Sequence, residues 1–179
     1  MNNSSVKEHK ECKKGPYSFA IITISSSRYE KYGSVSSPSD AEDRSGQIME
    51  RLILQAGHDV SCYSLVDDDP GSIIHALCEA VSSDADIIIT SGGTGLTSRD
   101  VTIESVVPMF TKHMQGFGEL FRYKSIEQIG SSVILTRASA GIISGKAVFC
   151  LPGSPAAVEL ALGDIILPEA GHIMKHITE

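Results

Sequence analysis

The clearest chemical signal in the chain is Ser91-Gly92-Gly93-Thr94-Gly95-Leu96-Thr97-Ser98-Arg99-Asp100. Its closely spaced glycines let the backbone take positive φ and approach a ligand, so that amide N–H groups face phosphate oxygens. The same glycines also suit a plain tight turn between a strand and a helix; Thr94 and Asp100 shift the balance toward a phosphate cradle. A second signal is Asp67-Asp68-Asp69 ahead of Pro70. It reads either as a solvated helix start, favoured by the macrodipole, or as a source of metal ligands. On neighbouring strands Asp68 and Asp100 would reach one ligand, and two carboxylates hold Mg²⁺ with water and phosphate at its other positions.

Two further segments carry weaker signals. Leu151-Pro152-Gly153-Ser154-Pro155 has the Ser cap and first-turn Pro of an ordinary helix start, and its helix N-terminus also suits a phosphate. In Gly116-Phe117-Gly118-Glu119-Leu120-Phe121-Arg122 the two Phe residues, four apart, are expected in the core or at a subunit contact, leaving Glu119 and Arg122 for solvent or ligand. Familiar nucleotide motifs are missing. Gly141-Ile142-Ile143-Ser144-Gly145-Lys146-Ala147 is one residue short of a P-loop and lacks its magnesium hydroxyl, while Gly116-Phe117-Gly118 lacks the third glycine of a dinucleotide fingerprint.

The elements that position these residues alternate apolar runs of strand length with helix-period segments, the pattern of a mostly parallel sheet with crossover helices. Strands are expected at Phe19 to Ile24, Val60 to Val66, Ala85 to Thr90, Val133 to Arg137 and Lys146 to Leu151, with a hairpin through residues 140–145. Ser25 to Asp40 reads as a polar loop. Helices are expected around Ile48 to Ala56, around Ile73, Ile74, Leu77 and Val81, from Ile103 to Phe110, from Phe117 to Ile129, and from Pro155 onward.

Composition sets the bounds. A chain of 179 residues with 41% hydrophobic residues and a mean hydropathy of +0.03 builds one sizeable core. One domain is therefore expected over residues 17–179, after a mobile polar tail at 1–16. No apolar run approaches the roughly 20 residues that span a bilayer, and Met1 to Lys14 lacks a secretory apolar region, so the expected location is the cytoplasm. The formal net charge of −7 argues against nucleic acid or an anionic membrane as partner. Cys12, Cys62, Cys78 and Cys150 have no zinc-ligand spacing and read as reduced thiols, mostly core fillers.

Taken in order, Asp43-Arg44-Ser45-Gly46, Asp67-Asp68-Asp69, Ser91 to Gly95 through Asp100-Val101-Thr102, Gly116-Phe117-Gly118-Glu119, Ser139-Ala140-Gly141-Ile142 and Leu151-Pro152-Gly153-Ser154-Pro155 form a specific set. The chain resembles the molybdopterin adenylyltransferases of the MogA and MoaB type, which are related to the amino-terminal domain of gephyrin. The likeness runs from Tyr17 to His172. It implies a three-layer α/β/α sandwich, a homotrimer or hexamer, that uses Mg²⁺ and ATP to adenylylate molybdopterin for molybdenum or tungsten cofactor, with other proteins of that pathway as possible partners. By the resemblance Asp68 and Asp100 are catalytic and govern the metal, and Gly92, Gly93, Thr94 and Gly95 lie under the phosphates. Ser25, Ser26, Ser45, Gly46, Ser139, Pro152, Gly153 and Ser154 fall in the pterin and nucleotide pocket, with Glu119 beside it. Many members carry an acid after the first strand where this chain has Ser26, and Asp43 is a candidate replacement. The rival readings are a pterin carrier without turnover and an interaction scaffold.

Overall fold

The structure, a computed structural model, describes residues 15–179. All of the expected tail except Gly15 and Pro16 lies outside the described residues.

Ser18–Ile24 (β1), Ile87–Ser91 (β3) and Lys146–Leu151 (β6) are apolar along nearly their whole length because both their faces are covered. With Asp59–Val66 (β2), Lys112–His113 (β4) and Ser139–Ile143 (β5) they form a six-stranded sheet of order β2-β1-β3-β6-β5-β4. β2, β1, β3 and β6 are parallel, and β5 runs antiparallel to its neighbours. The expected hairpin is β5 and β6, turning at Ser144 and Gly145, both with positive φ.

Helices cover both faces. On one, Met49 and Ile53 of Arg44–Gln55 (α2), Phe117 and Phe121 of Gln115–Ile129 (α5) and Val158 of Pro155–Ala161 (α6) pack on Ile21, Ile89 and Phe149. On the other, Ile73 and Leu77 of Pro70–Ser82 (α3) and Val106 of Thr102–Val106 (α4) pack on Ile22, Ile88 and Cys150. Period-two alternation along each strand sends neighbouring residues to opposite cores. This is the expected three-layer sandwich. The last helix is broken by a π turn at Leu162–Ile166 before Leu167–Thr178 (α7), where Pro168 lacks the N–H that would continue the ladder.

Four details correct the sequence reading. The polar loop of residues 25–40 contains a helix, Ser26–Tyr32 (α1), which buries no residue and so shows no apolar period. The strand expected at Val133 to Arg137 is a 3-10 turn, Gly130–Leu135, with Ile134 81% exposed. The sheet edge there belongs instead to the short β4, which has almost no pattern to read. Ile74 points outward, and Ala76 and Ala80 take inward places on α3. Of the cysteines, Cys150 is a core residue whose thiol is pushed by burial up to about 12, Cys62 is partly buried and Cys78 is exposed. Cys12 lies outside the described residues.

Candidate functional site

Because β1, β2, β3 and β6 are parallel, their carboxyl ends share one edge of the sheet, the usual place for a ligand in an open α/β fold. The loops leaving these ends hold Ser25 and Ser26, residues 67–69, residues 92–100 and residues 152–154. β1 separates β2 from β3, so Asp68 is not on a neighbouring strand as expected. It reaches the glycine loop across the end of β1. Asp68 Oδ1 stands 2.9 Å from the position a Cβ on Gly93 would occupy. Its Oδ2 accepts hydrogen bonds from the backbone N–H (2.7 Å) and Oγ (2.9 Å) of Ser26. Ser25 N–H donates to Val66 carbonyl oxygen at 3.0 Å, fastening the two strand ends together. Asp69 has another task. It caps α3 by accepting from Ser72 N–H at 2.9 Å.

The glycine loop is held open by its backbone. Gly92 has φ +107° and Gly93 φ +61°, and any side chain at Gly92 would strike the Ile24 carbonyl oxygen. Gly92 N–H donates to Leu151 carbonyl oxygen (3.0 Å), Thr102 Oγ1 donates to Gly92 carbonyl oxygen (2.8 Å), and Thr102 N–H donates to Gly93 carbonyl oxygen (3.0 Å). Asp100 folds back on the loop: Oδ2 accepts from Thr97 N–H (2.9 Å) and Thr97 Oγ1 (2.6 Å) and lies 2.7 Å from where a Gly95 Cβ would stand. The Thr97 hydroxyl holds the Asp100 carboxyl below its ordinary range. Since the folded pKa is the lower one, the stability this group contributes is present above its unfolded pKa and lost as pH falls through the folded one. Thr97→Val is expected to raise the Asp100 pKa toward 3.8. Carboxyl-carbon NMR titration reads the shift, and an unchanged midpoint would contradict the assigned hydrogen bond.

Arg137 ties this loop to α4. Its Nε donates to Thr94 carbonyl oxygen at 3.0 Å, Nη2 to Asp100 carbonyl oxygen at 3.4 Å, and Nη1 to Glu104 Oε1 at 2.5 Å. Thr94 itself is buried, so it shapes the loop from beneath. Arg137 also lines, with exposed Glu119 and half-buried Arg122 and Ser139, a cleft of about 450 Å³ beside the loop. Gly153 closes the other side: a Cβ there would stand 3.2 Å from Gly92 Cα. Ser45 Oγ donates to Gly153 carbonyl oxygen at 2.8 Å. Ser154 Oγ accepts from Ala157 N–H at 3.2 Å and caps α6, which Pro152 precedes.

Residues 20–172 match the family described as "Probable molybdopterin binding domain" of molybdenum cofactor biosynthesis. The chain belongs to this molybdopterin-binding family. A Bacillus cereus relative named molybdenum cofactor biosynthesis protein B is 46% identical over 171 residues, covering 94% of this chain and 95% of its own. A Pyrococcus furiosus protein named molybdopterin adenylyltransferase is 42% identical over 178 residues, covering 97% and 99%. The crystal structure of the tungsten cofactor synthesizing protein MoaB from the same organism superposes with a TM-score of 0.81 at 41% identity, covering 92% of this chain and 98% of that one.

Asp43, expected as a candidate replacement for an acid at position 26, is instead taken up by the core. It is 1% exposed and its Oδ2 accepts from Thr23 Oγ1 (2.7 Å) and Tyr63 Oη (3.0 Å). Gly46 is pressed against it, since a Cβ there would meet the Asp43 carboxylate. Asp43 therefore braces the start of α2, carrying Ser45 to Gly153, and burial pushes the Tyr63 phenol pKa upward. Tyr63→Phe is expected to cost about 1–3 kcal/mol, because the buried carboxylate loses a donor. A thermal midpoint unchanged from wild type would show the bond to be idle. Arg137 was expected only as the end of a strand. Its one available signal was a cation three residues from the Ala140-Gly141 motif.

Among the described residues no group of three or more His, Cys, Asp or Glu side chains is placed to hold a metal. Asp68 and Asp100 nevertheless offer oxygen donors along the glycine loop, one where a Gly93 side chain would stand and one where a Gly95 side chain would stand. That donor set fits Mg²⁺, which characteristically takes one or two protein carboxylates and completes its shell with water and substrate phosphate.

Proposed function

We propose that the chain transfers the adenylyl group of Mg-ATP to molybdopterin, giving adenylyl-molybdopterin and pyrophosphate, a late step toward molybdenum or tungsten cofactor. The observation that carries this reading is the placement of Asp68 and Asp100 against the same loop, one beside Gly93 and one beside Gly95. An acceptor oxygen on the pterin bonds to the α-phosphorus of ATP as the bond to the bridging oxygen breaks, and that oxygen leaves with pyrophosphate. Mg²⁺, held by Asp68 and Asp100, would supply charge neutralisation for the phosphates. The protein's remaining work is positioning. Open glycine backbone admits the phosphates, Arg137 fixes the loop from behind, and the cleft at Glu119 and Ser139 would receive the pterin.

The test is pyrophosphate release by the full chain with Mg-ATP and molybdopterin, wild type against Asp68→Ala and Asp100→Ala. Turnover lost in both variants supports the reading. Turnover retained in both removes the site. The carrier reading has one observation in its favour, Ser26 at the position of the family's acid, and pterin binding with no pyrophosphate release in wild type would select it.

Arg137→Lys should lower kcat about tenfold or more while the chain still folds, since an ammonium cannot span Thr94, Asp100 and Glu104 as the planar fork does. Steady-state kinetics with ATP varied decides this; wild-type kcat would mean that the loop holds itself.

A further inference from the structure

On the last helix, far in sequence from the glycine loop, His172 and His176 occupy one face at a spacing of four residues. Their imidazoles do not splay into solvent. The two Nε2 atoms converge to 3.0 Å, with ring centroids 4.7 Å apart and planes inclined by 57°. The outer nitrogens are backed by carboxylates: His172 Nδ1 lies 3.3 Å from Glu169 Oε2, and His176 Nδ1 lies 3.9 Å from Glu179 Oε2. The side chains are 38% and 60% exposed, so the pair is open to solvent.

A single N–H shared between the rings would account for the short contact alone. It does not account for the arrangement at the far nitrogens. Histidines that bind metal present one nitrogen to the ion and hand the other N–H to a carboxylate, which sets the tautomer and raises ligand basicity. His172 is set in that way by Glu169, while His176 Nδ1 has the Glu179 carboxylate within ion-pair reach and no hydrogen bond to it. With each metal–nitrogen bond about 2.0–2.1 Å long, nitrogens 3.0 Å apart subtend roughly a right angle at the ion. That is the angle between adjacent ligands of a square-planar or octahedral centre, the preference of Cu²⁺ and Ni²⁺; tetrahedral Zn²⁺ would need the rings to part by a few tenths of an ångström. Among the described residues no third side chain joins the pair, which leaves the other coordination positions to water.

We propose that His172 and His176 form a solvent-facing site for one divalent first-row transition ion, with Glu169 as the orienting carboxylate of His172 and Glu179 as a nearby counter-charge to His176. It is separate from the Mg²⁺ and nucleotide site. Its imidazole donors select against Mg²⁺ and Ca²⁺, and the order of affinity is Cu²⁺ above both Ni²⁺ and Zn²⁺.

The experiment titrates the full, untagged chain with Ni²⁺ and with Cu²⁺ by calorimetry, alongside His172→Gln, His176→Gln and Glu169→Gln. Chelation needs both rings, so either histidine variant should lose at least about tenfold in affinity with the thermal midpoint near that of wild type, and Glu169→Gln should weaken binding about tenfold. One ion per chain in wild type, lost in both histidine variants, is the expected result. Wild-type affinity retained in either histidine variant would overturn the proposal, because the ion would then sit at another of the six histidines of the chain. Absence of binding in wild type would overturn it too.

Discussion

Asp100→Asn is expected to lower pyrophosphate release by about a hundredfold to a thousandfold while leaving the fold intact. The asparagine carbonyl oxygen can still accept from Thr97 N–H and Oγ1, so the loop keeps its shape. The charge is what disappears. A carboxylate that helps hold a phosphate-bound ion supports several kcal/mol of charge stabilisation, and each factor of ten in rate is about 1.4 kcal/mol. The variant therefore separates electrostatics from geometry. Thermal unfolding within about 1 kcal/mol of wild type, together with the rate loss, is the expected pair of results. A rate within twofold of wild type would take Asp100 out of the chemistry.

The largest stability effect is expected at Gly92→Ala. At φ +107° a Cβ is strained whatever its surroundings, and here it would also enter the space of the Ile24 carbonyl oxygen, backbone that cannot swing aside. The strand end would have to part from β1, with loss of the Gly92 N–H bond to Leu151. A cost above about 3 kcal/mol follows from strain and collision together, or roughly 10 °C in the thermal midpoint of a domain this size. Gly163→Ala is the matched control, since nothing lies within 4 Å of a Cβ there. If both variants melt together, the turn at the end of β3 is more pliant than its contacts imply.

What could be read in advance follows from what burial does to sequence. β1, β3 and β6 were legible because two covered faces demand continuous Ile, Val and Phe, and the glycine loop was legible because only glycine tolerates its backbone. α1 was hidden because it buries nothing and so has no period. The 3-10 turn at 130–135 misled because Val133, Ile134 and Leu135 look like a strand, yet stay largely outside the core. Asp68 and Asp100 drew notice by residue type, and they lie beside Gly93 and Gly95 of the glycine loop. Asp43 resembled a ligand, and only its bonds to Thr23 and Tyr63 give it a structural role. Arg137 was missed as a site residue because two of its partners are backbone carbonyl oxygens and the third, Glu104, is 33 residues away, so no sequence pattern points to them.

Cys150 sits in β6 with its thiol wholly enclosed, whereas Cys78 faces solvent on α3. The two sulfurs thus form a clock and its trigger within one molecule. An alkylating reagent should modify exposed Cys78 first, and it can reach Cys150 only after the middle of the sheet has opened. The slow phase of thiol labelling would then time the opening of the scaffold that holds residues 92–100 and 152–154 together.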